Sequence, residues 1–120
     1  VVFIIIPIYG FYGKVITTSI TYSGLWAGVL AADEGNFFQT TLKPSSVNNL
    51  GIGNGSPGQT INVKITQSST NPGTISWNSS IKFPDGFDSA ASTGANDIDV
   101  FTFVTWDGSN WYATGLKNFS

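Results

Sequence analysis

Residues 97–119, DIDVFTFVTWDGSNWYATGLKNF, contain the pattern that decides the fold class. The first part of this stretch alternates with the period of a β-strand, yet both of its faces are apolar. Val100 and Val104 fall on one face, and Phe101 and Phe103 fall on the other. A strand of this kind is covered on both sides, so we expect it to be central in a sheet or to lie at a subunit interface.

Two tryptophans flank the turn that follows this strand. A turn at Gly108-Ser109 would place Trp106 opposite Trp111, whereas the favoured type I′ dipeptide Asp107-Gly108 would place Trp111 opposite Val104. Either register predicts a hydrophobic clasp that closes the fold, because buried aromatics are mainly core and interface material. The alternative is an exposed platform on which a sugar ring stacks. The candidate ligand or interface aromatics are therefore Trp106, Trp111 and Tyr112.

The rest of the chain has the same all-β character. Fourteen glycines and five prolines punctuate short segments rich in Val, Ile and Thr, and we find neither an internal repeat nor a second domain. Residues 24–34 fit either a short helix or a strand followed by a turn. The pattern predicts a single antiparallel β-sandwich of jelly-roll type over residues 1–120. The strand candidates are residues 14–22, 36–42, 61–67, 74–83 and 97–106.

Two long polar segments are predicted to be surface loops. Residues 47–59 form a glycine-rich run, and residues 83–97 form a polar excursion rich in aspartate. Loops on a rigid scaffold commonly carry recognition, so 47–59 and 84–97 are the expected contact surface. The candidate contact residues within them are Asn54, Ser56, Asp85 and Asp88.

Composition argues against most catalytic and nucleic-acid functions. The chain has no Cys and no His, which removes the thiolate nucleophile, the Cys-ligated zinc site and the commonest general base. Its five basic residues are scattered lysines, and its isoelectric point is near 4.5, so we expect no nucleic acid partner. The aspartates at 85, 88, 97 and 99 lack the spacing of a calcium loop, and we expect no metal or cofactor.

The amino-terminal segment VVFIIIPIYGFYG is strongly apolar. It is shorter than the ~20 residues that a membrane-spanning helix needs, and it lacks the basic start of a signal peptide. We therefore expect no membrane role. Residues 1–25 are interpreted as interface or linker strands that another subunit or a preceding domain covers.

A family resemblance rests on the order of four segments: VLAADEGNFFQTTL, GQTINVKITQSS, GTISWNSSIKFPDG and the stretch 97–119. Together they resemble the C-terminal β domain of bacteriophage tail-fibre and related virion structural proteins. The similarity covers Val29 to Phe119. It implies a fibre-type module over residues 26–120 that belongs to a trimeric fibre, receptor-binding or capsid-decoration domain and is not an enzyme.

The resemblance thus implies a non-enzymatic phage structural protein located on the virion surface. A tail-fibre or receptor-binding module acting in assembly and host attachment is the first hypothesis. Its expected partners are further copies of itself in a homotrimer, other virion proteins and a host-surface glycan. The alternatives are a capsid decoration or head-fibre protein and a carbohydrate-binding module.

Overall fold

The computed structural model describes residues 15–17 and 28–119, and the described part of the chain is all-β. It holds no helix long and apolar enough to cross a membrane. The nine strands within these ranges are β1 (Val15–Thr17), β2 (Gly28–Ala31), β3 (Phe37–Thr41), β4 (Val47–Gly53), β5 (Thr60–Thr66), β6 (Thr74–Trp77), β7 (Ile81–Lys82), β8 (Ile98–Thr105) and β9 (Trp111–Phe119).

Period-two alternation explains the central strands. In β5, Ile61, Val63 and Ile65 are buried, as the alternation predicts. The neighbouring β8 buries its odd-numbered residues and leaves its even-numbered residues half-buried, so both faces are covered to some extent. The prediction that this strand is central is confirmed, because β8 pairs with β5 on one side and with β9 on the other.

The first six strands alternate between two sheets and run parallel within each. β1, β3 and β5 are adjacent in a six-stranded sheet of order β1-β3-β5-β8-β9-β7, and β2, β4 and β6 form a three-stranded sheet. Partners are 22 residues apart between Val15 and Phe37 and 25 apart between Phe37 and Asn62. Each pair of successive strands is therefore one coil, and every coil adds one strand to each sheet.

The hairpin β8–β9 ends this parallel arrangement. Strand β8 runs antiparallel to β5, β9 returns antiparallel to β8, and β7 pairs with β9 in parallel. The expected antiparallel pairing thus holds only for β5–β8–β9, and the other five pairings in the described residues are parallel. A jelly-roll topology is not confirmed. Alternation of apolar residues reports which face is buried and carries no information about strand direction.

Three further predictions change in detail. Residues 47–53, predicted to begin a loop, form β4, in which Leu50 is buried. Residues 74–83 divide into β6 and β7, which belong to different sheets. Within 24–34, the described residues form strand β2 followed by a turn, so the strand-and-turn interpretation is the right one there.

One hydrophobic core joins the two sheets. Leu30 and Leu50 from the smaller sheet pack in the same cluster as residues of β3, β5, β8 and β9. The fold is therefore one unit over the described residues. The predictions for residues 1–25 lie outside the described residues except at Val15–Thr17.

Buried polar side chains hold the turns between coils. The Asn48 side chain accepts the Lys43 backbone N–H at 2.9 Å and donates to the backbone carbonyl of Thr74 at 3.0 Å, so it ties β4 to β6. The Gln67 side chain accepts the Gly73 backbone N–H and donates to the Ser92 carbonyl, both at 2.9 Å. Because buried backbone groups need partners, these side chains replace the missing strand hydrogen bonds at the corners.

Candidate functional site

The terminal hairpin has a register that lies between the two predicted ones. Thr105 faces Trp111 and Val104 faces Tyr112, so residues 106–110 form a five-residue loop. Neither the Gly108-Ser109 turn nor the type I′ Asp107-Gly108 turn is formed. The longer loop moves Trp106 out of the strand and away from a position opposite Trp111.

The Asp107 side chain builds this loop. Its carboxylate accepts the backbone N–H groups of Ser109 and Asn110 and the Asn110 side-chain N–H, each at 2.8 Å. These bonds, the Asn110 backbone N–H foremost, hold the pKa of Asp107 well below its ordinary value. The Gly108 N–H donates to the Thr105 hydroxyl at 2.9 Å, and Gly108 has a left-handed φ of 82°. The turn is thus fixed by side-chain acceptors, which aspartate supplies readily.

Trp111 lies in the core. Its exposed fraction is 0%, and its strand partners Thr105 and Ile81 are buried with it. Trp111 therefore fits the interpretation that the aromatics close the fold. Its assignment as a candidate ligand or interface aromatic does not hold, because the side chain has no surface to offer.

A glycine lets the 47–59 segment pack onto this tryptophan. A Cβ at Gly55 would lie 2.5 Å from Cζ2 of Trp111 and 2.6 Å from the Gly108 carbonyl oxygen. The Gly58 N–H donates to the Thr105 carbonyl, and the Thr105 N–H donates to the Gln59 carbonyl, both at 3.0 Å. The end of the glycine-rich segment is thus bonded to the hairpin, and it does not form an independent surface loop.

Trp106 and Tyr112 form an exposed aromatic pair. Their exposed fractions are 73% and 51%. The ring centroids are 5.8 Å apart and the ring planes meet at 80°, an edge-to-face arrangement. Both side chains line an open pocket on the protein surface. Of the three aromatic residues predicted to contact a ligand, Trp106 and Tyr112 are in contact with each other and have rings accessible to solvent.

Lys82 lies beside Tyr112 and brings a positive charge to the aromatic pair, which the sequence did not predict. Lys82 is the β7 partner of Tyr112, and both side chains are exposed on the outer face of the six-stranded sheet. The described residues contain one ion pair, between Lys117 and Asp88, so Lys82 has no carboxylate partner among them. Only the strand order could reveal this neighbour, because 30 positions separate the two residues in the sequence.

The candidate contact residues divide between two places. Asn54 and Ser56 flank Gly55 and therefore lie beside the hairpin loop; both are exposed, and Asn54 has a left-handed φ of 58°. Asp85 and Asp88 are exposed on the 83–97 excursion. Asp88 accepts the Ala90 N–H at 3.0 Å and pairs with Lys117 at 3.2 Å. The Ala90 N–H and then Lys117 lower the pKa of the Asp88 carboxyl.

The described residues contain no group of three acidic side chains placed to hold a metal ion. Asp99 is buried, where it accepts the backbone N–H and hydroxyl of Ser92, and Asp97 accepts the Gly94 N–H. These two carboxylates therefore accept backbone N–H groups and stabilise turns of the 83–97 segment. Ser79 and Lys82 have the S-x-x-K spacing of some acyl enzymes, but both are exposed, and no hydrogen bond joins them within the described chain.

No protein-family model, curated protein or solved structure matches this chain.

Proposed function

We propose that this chain is a structural module of a bacteriophage virion, of the tail-fibre or receptor-binding type. In this proposal it acts without catalysis, in assembly and host attachment, on the surface of the particle. It would assemble as a homotrimer with other virion proteins as neighbours.

One observation carries the proposal: coils stacked in parallel end in an antiparallel hairpin that exposes Trp106 in its loop and Tyr112 on β9. Stacked coils make an arrangement that extends in one direction, as in solenoid proteins. Reversal of strand direction at β8 stops the parallel addition of strands. A stack with a distinct final element suits the end of a fibre, where a contact residue such as Trp106 can face another surface.

The surface chemistry supports the same proposal. Charged residues make up 10% of the chain, and the side-chain amides of Asn48 and Gln67 satisfy backbone groups at the corners. A fold held by such bonds depends little on ion pairs, so changes of salt concentration outside a cell should affect its stability weakly.

Immunolabelling of virus particles tests this proposal. Antibodies against residues 28–119 would be applied to purified particles of the virus that encodes the chain and viewed by electron microscopy. Label at fibre ends is the expected result. Label on the head surface would favour the capsid decoration alternative, and intact particles without label, but with the chain detected elsewhere in the infected cell, would overturn a virion role.

Solution mass supplies a second, independent test of the assembly. Light scattering behind a sizing column should give three times the 12.8 kDa chain mass if the homotrimer forms. A monomer at micromolar concentration would remove the trimer from the proposal. The location of the chain on the particle would still be decided by the labelling.

A carbohydrate-binding module is the second candidate function, because Trp106 and Tyr112 expose their rings beside each other. This candidate predicts saturable sugar binding by a chain that is not part of any particle.

A further inference from the structure

We propose that the Trp106–Tyr112 pair is a saccharide-binding site that stacks one pyranose ring of a surface glycan. The inference deepens the proposed attachment function, since it names the class of ligand that the hairpin would contact. It rests on the shape of the pair, on the rigidity of its loop and on the polar residues that bound it.

The edge-to-face geometry leaves an aromatic face open. With ring planes at 80° and centroids 5.8 Å apart, only the edge of one ring covers the face of the other. The exposed fraction of 73% for Trp106 shows that most of its indole is accessible to solvent. A pyranose has one face of C–H groups, which fits against an aromatic face, and equatorial hydroxyl groups that stay in water or bond to nearby polar atoms.

The loop fixes the backbone from which the Trp106 ring projects, and the ring contacts Tyr112. Asp107, next to Trp106, accepts three N–H groups within the loop, and Gly108 packs against the Gly55 backbone. Tyr112 is fixed as part of β9 opposite Val104. A preformed site loses less conformational entropy on binding, which matters for a weak ligand such as a single sugar ring.

The aromatic pair is a small patch, and this favours a sugar over a protein partner. The next exposed apolar residue along β9 on this face is Leu116, which pairs with Val100. Between the Val104–Tyr112 and Val100–Leu116 pairs lies the row formed by Thr102 and Thr114. The Thr102 hydroxyl donates to Asn62 at 2.8 Å, so this row is polar. A protein–protein interface needs a larger continuous surface than two rings.

The charges near the pair also suit a ligand rich in hydroxyl groups. The carboxylate of Asp107 is engaged by N–H donors of its own loop. The ammonium group of Lys82, on the strand beside Tyr112, has no acidic partner among the described residues. Nothing at the site therefore demands a cationic ligand, and Lys82 can donate to a sugar hydroxyl or carboxylate.

Calorimetric titration of the full chain tests the site. The probes are methyl glycosides of glucose, galactose, mannose and N-acetylglucosamine, together with their short oligomers, at concentrations up to about 10 mM. We expect saturable binding of at least one probe. Trp106→Ala should weaken it about tenfold or more while the melting temperature is unchanged, and Trp106→Phe should restore part of the affinity because it restores an aromatic face.

Leu116→Ala is the matched control, since Leu116 is equally exposed, at 69%, on the same face but lies beyond the threonine row. It should change sugar affinity by less than about twofold. Equal loss of binding in Leu116→Ala and Trp106→Ala would overturn the site, because it would indicate a general apolar contact. Absence of binding for every probe, or binding that Trp106→Ala leaves intact, would also overturn it.

The two proposals fail separately. Label at fibre ends without sugar binding would leave the virion proposal standing and remove the saccharide site. Sugar binding that depends on Trp106, from a chain that labels no particle, would keep the site and favour the carbohydrate-binding module.

Discussion

Trp106 and Trp111 belong to the same hairpin, yet one is 73% exposed and the other is fully buried. The difference arises from the loop. Trp111 is the first residue of β9 and faces the core opposite Thr105, whereas Trp106 is the first residue beyond β8 and is carried outward by the loop that Asp107 organises. The two tryptophans therefore differ in burial because Trp111 occupies an inward-facing strand position, whereas Trp106 lies in the five-residue loop.

The same contrast extends over the two faces of the hairpin. The inner face packs Phe101, Phe103 and Trp111 into the common core. The outer face carries Val104, Tyr112 and the threonine row, which meet solvent to varying degrees. Stability should therefore depend on the inner face, and ligand contact should depend on the outer face.

The largest expected effect is the difference in the free energy of unfolding between the Trp111→Ala and Trp106→Ala variants. Trp111→Ala creates a cavity in the core and should lower the free energy of unfolding by about 3–5 kcal/mol. Trp106→Ala removes an exposed side chain and should change it by no more than about 0.5 kcal/mol. Denaturant unfolding of the two variants measures both values. Similar losses in the two variants would show that Trp106 is also part of the packed structure in solution.

Gly55→Ala tests how the 47–59 segment supports Trp111. The new Cβ would meet the indole and the Gly108 carbonyl oxygen, and backbone atoms cannot move aside easily, so we expect a loss of about 1–3 kcal/mol. Gly51→Ala in β4 is the control, because the nearest atoms to its Cβ belong to the Asn78 side chain and lie at 3.4 Å or more. The control should be neutral or stabilise the protein slightly. A Gly55→Ala protein as stable as the control would mean that the segment does not pack on Trp111.

Acidification should loosen the Trp106 loop and leave Trp111 in place. The pKa of Asp107 is held below its ordinary value of 3.8, so the stabilisation from its hydrogen bonds is present above that pH. It should be lost as the pH falls through the lower pKa of the folded state. Asp107→Asn should remove this dependence, whereas Asp85→Asn, on another exposed loop, should keep it.

Unfolding measured from about pH 5 to pH 2 in the wild type and these two variants checks the prediction. The free energy of unfolding of the wild type should fall more steeply with acid than that of Asp107→Asn. Parallel curves for the two proteins would contradict the assigned role of Asp107.

Lys82→Gln should produce the smallest effect, which is a change in the preference of the outer face for an acidic sugar over a neutral one. If the saccharide site is correct, Lys82 should favour a hexuronide over the neutral glycoside of the same configuration, by at most about 1 kcal/mol at this exposed position. The preference should disappear in Lys82→Gln and decrease at high salt. A preference that survives both changes would exclude Lys82 as its source.

Much of the burial could be predicted from the sequence, because alternation determines which residues share a face. In β5 the apolar residues Ile61, Val63 and Ile65 alternate with polar residues, and all three are buried. The central place of β8 followed from its two apolar faces. These predictions needed no knowledge of which strands pair.

Strand direction and hairpin register could not be predicted, for physical reasons visible in particular residues. Parallel pairing of β3 with β5 depends on a crossover through β4. The Asn and Gly residues of β4 are typical of a loop, and the hydrogen bond from the Asn48 side chain to the Thr74 carbonyl, which ties β4 to β6, cannot be predicted from the sequence. The hairpin register accompanies a five-residue loop in which the Asp107 carboxylate accepts three N–H groups, and these contacts have no signature in the alternation pattern. Lys82 was missed as a neighbour of Tyr112 because strand order alone places them together.

The coils also link the position of the aromatic pair to the length of the chain before it. Successive partners are 22 to 27 residues apart, and each such unit adds one strand spacing of about 4.8 Å. Adjacent strands are also rotated by about 20–25°. An inserted or deleted coil would therefore shift the terminal hairpin by a fixed step and turn it through a fixed angle. The distance of the hairpin from the first coil and the direction in which Trp106 faces therefore both depend on the number of coils, and they change together when that number changes.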